Sequence, residues 1–497
     1  MVHDIFNLEY VEGENMLIEW LPDKKSHIPL FRQIVSHFEE GIRSGRYLKD
    51  SRFPSQRQLA ETFRVNRSTI SLAMDELKAL GLVITKGKGG TKVAEVPDFG
   101  SFDWGHYVED SMYYPNRAII QKINDLDFDQ NIIRLSSGAS MPESYEITGL
   151  RDLIRQASEE AVALDYTEPK GLLSLREVLC EYLVKIGIDT NPSEILIVSG
   201  ALQAIQLIAL GLLQRGSTAL IEKPSYLYSL NILKSLDMRR RGIECDENGL
   251  LPQALYKARP RNHHSVLYTI PNFQNPTGRL MGEARRIETL KVCEELNIPI
   301  LEDDVYRELW FDTPPPPPLK SLESKGQVLY IGSVSKNLSP GLRIGWIVGP
   351  KGVIDRLSDI KMQVDYGAST LSQIVTELWF KSPNREPALD KIRMKLKSRR
   401  NAALNALNLY MTGLGRWEIP KGGFYIWIEL YENLSEDLVF QNAVDAGVLI
   451  YPGHVYGTED KTAIRISYSS ESEDRIHEGI RKLSEVIKAQ IENQSKT

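Results

Sequence analysis

Six apolar runs, EILIVSG, STALIEK, HSVLYTI, IPILEDD, QVLYIGS and RIGWIVG, follow one another between residues 194 and 349 and alternate with helical patterns. None of them alternates apolar with polar residues. Each must therefore be covered on both faces if it is a strand. Continuous apolar strands interleaved with helices fold as an α/β sheet sandwiched between helical layers. From about residue 385 the pattern changes. RMKLKSRRNAALNALNLYM lies in a long helical stretch, and GGFYIWIEL and TAIRISYS supply strands of a smaller α+β subdomain. The five prolines at 314–318 read as a stiff loop with no chemistry of their own.

Side chains that leave such strands at their carboxyl ends meet at one edge of the sheet, where α/β sites form. Several chemistry-bearing residues fall there. YIGSVSKNLSPGLRIGW sets Lys336 on a Ser-rich turn, after Ser333 and before Arg343. Alone, that segment reads as a surface loop with a solvated lysine. ILEDDVY ends a strand with Asp303, and TIPNFQNPTG carries Asn275 on the turn after another. VSGALQAIQ reads as a strand, a glycine turn and a helix start, which presents the amides of Ala201 and Leu202 to an anion. EKPSYLY puts Tyr226 just past a strand, and AIRISYS projects Arg465, whose forked guanidinium suits a carboxylate. An amine, a carboxylate for a ring nitrogen, anion donors and an aromatic face are what a pyridoxal phosphate site needs.

The amino-terminal part differs in charge and pattern. Residues 28–97 carry 12 Lys and Arg against 7 Asp and Glu, whereas the whole chain is at −6. A basic module on an acidic body fits contact with a polyanion. PLFRQIVSHFEEGIRSG spaces Leu30, Ile34, Phe38 and Ile42 as one helix face, from Pro29 to Gly45. FPSQRQLAETF offers Ser55 as the cap of a second helix, RVN is a tight turn, and RSTISLAMDELKALG is a third helix ending at Gly81. LVITKGKGGTKVAEV then reads as two short strands around a Gly/Lys tip. This is a helix-turn-helix with a β-wing. Asn66, Arg67, Ser68 and Thr69 open the recognition helix, Arg57 lies on the helix before it, and Lys88 and Gly89 sit on the wing tip. All suit base-edge or phosphate contact, although a wing of this type can also serve protein contact alone.

The segment FPSQRQLAETFRVNRSTISLAMDELKALGLV, with GGTKV after it, closely resembles the GntR-type winged helix. That resemblance implies DNA contact by Arg57, Arg67, Ser68 and Thr69. Over roughly residues 130–490 the order and spacing of Asn275, Asp303, Tyr306, Ser333, Lys336 and Arg343 resemble fold-type I, class I/II aminotransferases. The second resemblance implies pyridoxal 5'-phosphate as cofactor. Lys336 would hold its aldehyde and Asp303 would pair with the ring nitrogen. Asn275 and Tyr306 would meet the ring hydroxyl, and Tyr226 would stack on the ring. Ser333, Arg343 and the amides of Ala201 and Leu202 would bind the phosphate. Arg465 would take a substrate carboxylate, and Tyr166 would reach the phosphate of a partner subunit. Ala201 stands where many of these enzymes have a hydroxyl residue.

Together the two halves resemble the MocR family of bacterial regulators. The implied organisation is an extension over 1–27, a winged helix over 28–96, a linker over 97–129, a cofactor domain over 130–490 and a tail over 491–497. The implied function is a dimeric transcriptional regulator that binds a double-stranded operator and senses an amino compound, or the cofactor itself. The alternative is a working aminotransferase that carries a DNA-binding domain. No run of about 18 apolar residues is present, so no membrane span is expected. The amino terminus lacks a signal pattern. Three scattered cysteines fit reduced cytoplasmic thiols rather than disulfides or a metal site.

Overall fold

The computed structural model describes residues 20–26, 28–43, 46–47, 51–85, 90–94, 116–141, 143–160, 165–260, 264–458 and 461–495. The chain divides into two compact units, with the described residues up to 94 in the first and those from 123 onward in the second.

In the first unit, α1 (Leu30–Arg43) buries Ile34, Phe38 and Ile42 along one stripe. Helix α2 (Gln56–Phe63) starts at Ser55. The Gln58 amide donates to Ser55 Oγ at 3.3 Å, and the Ser55 amide donates back to Gln58 Oε1 at 2.9 Å. This reciprocal box satisfies two amides that have no partner inside the helix. Arg64 closes α2 in the left-handed region, at φ 53°, and turns the chain into α3 (Arg67–Ala79). Ile70, Ala73, Met74 and Leu77 are the buried face of α3. Strands β1 (Val83–Thr85) and β2 (Thr91–Val93) pair antiparallel, with Val83 opposite Val93, and Arg52 bridges to Lys92 beside them. Lys88 and Gly89, expected at the wing tip, lie outside the described residues. The extension expected over 1–27 also contributes to this core. Trp20 stacks on His37 at 4.4 Å and meets Phe63 edge-on.

The second unit is built on a seven-stranded sheet. Its strands in chain order are β3 (Ile195–Val198), β4 (Thr218–Glu222), β5 (Arg239–Ile243), β6 (Ser265–Thr269), β7 (Ile300–Asp303), β8 (Val328–Ser333) and β9 (Gly345–Val348). They lie in the order β3-β9-β8-β7-β6-β4-β5. All run parallel except β9, which is antiparallel to both β8 and β3. Residues of β3, β4, β6, β7, β8 and β9 are buried on both faces, as the continuous apolar runs require. Edge strand β5, RRRGI, is the exposed exception. A smaller antiparallel sheet is ordered β10-β11-β13-β12, from β10 (Gly415–Trp417), β11 (Tyr425–Leu430), β12 (Tyr451–Pro452) and β13 (Ala463–Ser467).

Two boundaries differ from expectation. A helix forms at Ala118–Leu126, inside the expected linker, with Ile120 and Ile123 buried. Nine residues are too short a window for their period to stand out beside aperiodic neighbours. The final helix, Glu473–Ser495, runs into the expected tail, because no glycine or proline stops it after residue 490. No described helix is long and apolar enough to cross a membrane.

Candidate cofactor pocket and nucleic-acid interface

A cavity of about 460 Å³ opens at the carboxyl ends of the parallel strands. Its wall contains Ala201, Leu202, Tyr226, Asn275, Asp303, Tyr306, Ser333, Lys336, Arg343 and Arg465. These are all the residues expected at a cofactor site within one subunit. They are spread over 265 positions of sequence, from 201 to 465. The parallel strands bring Ala201, Leu202, Asp303 and Ser333 to one edge of the large sheet, and the small antiparallel sheet adds Arg465.

Asp303 closes β7 and is 4% exposed. Its Oδ2 accepts a hydrogen bond from Tyr268 at 2.7 Å, whereas its Oδ1 is buried without a partner. Burial is the main force that pushes this carboxyl up, from an ordinary 3.8 to about 6, with the Tyr268 bond opposing it. A buried carboxylate with one empty acceptor calls for a cationic N–H donor in the cavity. A protonated pyridine nitrogen meets that description. Lys336 Nζ donates to the Gly138 carbonyl at 2.8 Å and lies near the Tyr306 and Phe424 rings.

Helix α4 (Ala201–Leu212) begins at the cavity wall. Gly200 caps this helix at φ 88°, and a Cβ there would sit 2.6 Å from Arg343 Nη2. Glycine therefore serves both the left-handed turn and the close approach of the guanidinium. Arg343, itself at φ 53°, donates to the Ser199 carbonyl at 2.9 Å. The first amides of α4 have no acceptor inside the helix and carry its positive dipole end. Ser333 Oγ donates to the Ile344 carbonyl at 2.9 Å and lies beside Ser335 Oγ, also at 2.9 Å.

Arg465, 3% exposed, stands on β13 directly across from Tyr451 and Trp427. Its Nη1 donates to Asn275 Oδ1 at 3.0 Å and its Nη2 to the Ser136 carbonyl. Its Nε is buried without a partner. The guanidinium lies 4.1 Å from the centre of the Tyr425 ring, 4.3 Å from Tyr451 and 5.3 Å from Tyr456. Three aromatic faces compensate part of the cost of burying this cation. Burial pushes the Tyr425 hydroxyl up, but the Arg465 and Lys336 cations and a bond from Tyr306 at 3.2 Å outweigh it and bring it below its ordinary value. The tyrosine cage, Tyr268, Ser136 and Gly138 were not foreseen. Tyr425 lies in the quoted GGFYIWIEL run, but only the register of β11 on β13, which sets Trp427 opposite Arg465 and Tyr425 opposite Ser467, brings it diagonally onto the arginine.

Tyr166 is outside this cavity. It is 79% exposed, and its ring meets that of Tyr366 at 5.0 Å. In the first unit, Asn66, Arg67 and Ser68 are exposed at the start of α3, with Thr69 half-buried. Asn66 caps α3 through its backbone, with no side-chain cap bond. Arg57 is exposed and pairs with Glu61 at 3.1 Å, an arrangement weak enough in water to yield to a phosphate.

The family model "Aminotransferase class I and II" matches residues 127–483, and "Bacterial regulatory proteins, gntR family" matches residues 30–93. The HTH-type transcriptional regulator YdfD of Bacillus subtilis (strain 168) is 46% identical over 470 residues, 94% of this chain and 98% of its own. The HTH-type transcriptional regulator NorG of Staphylococcus aureus (strain USA300) is 32% identical over 445 residues, 88% of this chain and 99% of its own. Among solved structures, the kynurenine aminotransferase of Pyrococcus horikoshii, crystallised with PMP, is 32% identical at a TM-score of 0.70. That match covers 75% of this chain and 94% of the enzyme. With a gntR-type winged helix on one side and an aminotransferase fold on the other, the chain belongs to the MocR-type HTH transcriptional regulators, DNA-binding proteins with an aminotransferase-like domain.

Proposed function

We propose that this regulator binds pyridoxal 5'-phosphate in the 460 Å³ cavity and uses it to sense an amino compound. The carrying observation is Asp303, whose buried, unpartnered Oδ1 shares a cavity with the Lys336 amine. When bound, the cofactor supplies an aldehyde that condenses reversibly with primary amines. Lys336 would hold that aldehyde, and Asp303 would keep the proton on the ring nitrogen. Asn275 and Tyr306 would meet the ring hydroxyl, and Tyr226 would cover a ring face. Ser333, Arg343 and the amides of Ala201 and Leu202 would grip the phosphate, so the alanine at 201 leaves that side to backbone donors. Arg465 would clamp the carboxylate of the incoming amino compound with its fork.

An effector held by Arg465 adds contacts to one conformation of the pocket. That differential affinity is what can bias operator binding by the winged helix. Arg57, Asn66, Arg67, Ser68 and Thr69 would make the DNA contacts. The protein would work in the cytoplasm as a homodimer, and the exposed Tyr166 supports a contact with the partner's pocket.

The test is operator affinity of the cofactor-loaded full chain, with and without amino acids, in wild type and Arg465→Ala. The variant should keep basal DNA binding and lose the response. A full wild-type response in the variant would refute the carboxylate clamp. Many cycles of keto-acid formation by wild type would favour a working aminotransferase instead.

A further inference from the structure

The cavity holds one charged group that the cofactor does not need. Among the described residues its wall has three cations, Lys336, Arg343 and Arg465, and two carboxylates, Asp303 and Asp127. Lys336, Arg343, Arg465 and Asp303 would be taken up by the cofactor and the effector's carboxylate. Asp127 follows the helix Ala118–Leu126. Its Oδ1 accepts from Ser136 Oγ at 3.2 Å, and Ser136 presents its carbonyl to Arg465. One serine thus separates a carboxylate from the clamp arginine, both on the same cavity. Asp127 also lies close enough for its charge to be felt at the Tyr425 and Tyr451 hydroxyls of the arginine's cage.

Nothing described neutralises Asp127. Its Oδ2 has no hydrogen-bond partner among the described residues. Arg134 donates to its main-chain carbonyl, but directs its ionic contact to Glu471. A carboxylate beside a cation clamp repels a second effector carboxylate and attracts a second cation.

We infer that the effector is a diamino acid: its carboxylate sits on Arg465, one amine sits beside Lys336, and a second cationic nitrogen sits on Asp127. This rests on the amine-sensing reading and narrows it to a ligand class.

The experiment titrates the cofactor-loaded full chain with L-ornithine, L-lysine, L-norleucine and L-glutamate, reading the cofactor's absorbance. A charge-assisted contact predicts that one diamino acid binds about tenfold or more tighter than norleucine, with glutamate weakest. Asp127→Asn should reduce that ratio to about one, and Asp127→Arg should turn the preference toward glutamate. The absorbance of each variant before titration reports whether its pocket is intact. Norleucine or glutamate binding wild type as tightly as both diamino acids would overturn the inference alone. So would an unchanged ratio in both variants. A loaded protein that responds to no amine at all would overturn the sensing reading and this inference with it.

Discussion

Replacing Asp303 by Asn should have opposite effects on the empty and the loaded protein. Burial raises this carboxyl from 3.8 to about 6. A raised carboxyl favours folding below its unfolded pKa and loses that advantage as pH rises through the folded value. Relative to acid conditions, the charge costs the cofactor-free protein roughly 3 kcal/mol above about pH 7. At about pH 5 the cost is only about half as large, so the Asp303→Asn variant should gain on wild type by roughly 1.4 kcal/mol between about pH 5 and about pH 8. Glu222 and Glu302, both raised to about 7 mainly by burial, titrate in both proteins and cancel in the comparison. The amide that replaces the carboxylate can still accept from Tyr268, so the shape of the site is retained. The assay is urea unfolding of the cofactor-free full chain at the two pH values, with tryptophan fluorescence as the signal. In the loaded state the order should invert, because the ring cation offsets the buried charge only in wild type. Asp303→Asn should therefore weaken cofactor affinity by about tenfold or more. A stability difference that does not change with pH would refute the claim that burial of the Asp303 charge outweighs its Tyr268 bond.

Lys336→Ala should leave a fold that binds the cofactor without a covalent link, so that borohydride reduction followed by mass measurement finds no adduct. Gly200→Ala forces a Cβ to within 2.6 Å of Arg343 Nη2 at φ 88°. It should lower cofactor affinity by about tenfold, on the scale of a strained left-handed residue, as seen by equilibrium dialysis. Arg67→Ala should cost roughly 1–3 kcal/mol of discrimination between operator and random DNA if it reads a base edge. A gel-shift titration in which both affinities fall together would reassign it to phosphate.

The sequence alone determined the two-part architecture and named ten residues that share the cavity, Tyr306 among them only through the resemblance to aminotransferases. For the architecture the reason is local: continuous apolar runs cannot be exposed, and a residue that closes such a run, as Asp303 does, emerges at the sheet edge. Ser55 likewise announced the start of α2, because an N-cap acts within the first turn. The tertiary structure decided what those residues meet. Tyr451 faces Arg465 only through the pairing of β12 with β13, and Tyr268 reaches Asp303 only because β6 lies beside β7. Asp127 belongs to the pocket because a short helix with a weak period brings it back to Ser136. Register and neighbour order depend on the whole sheet, so no window of sequence contains them.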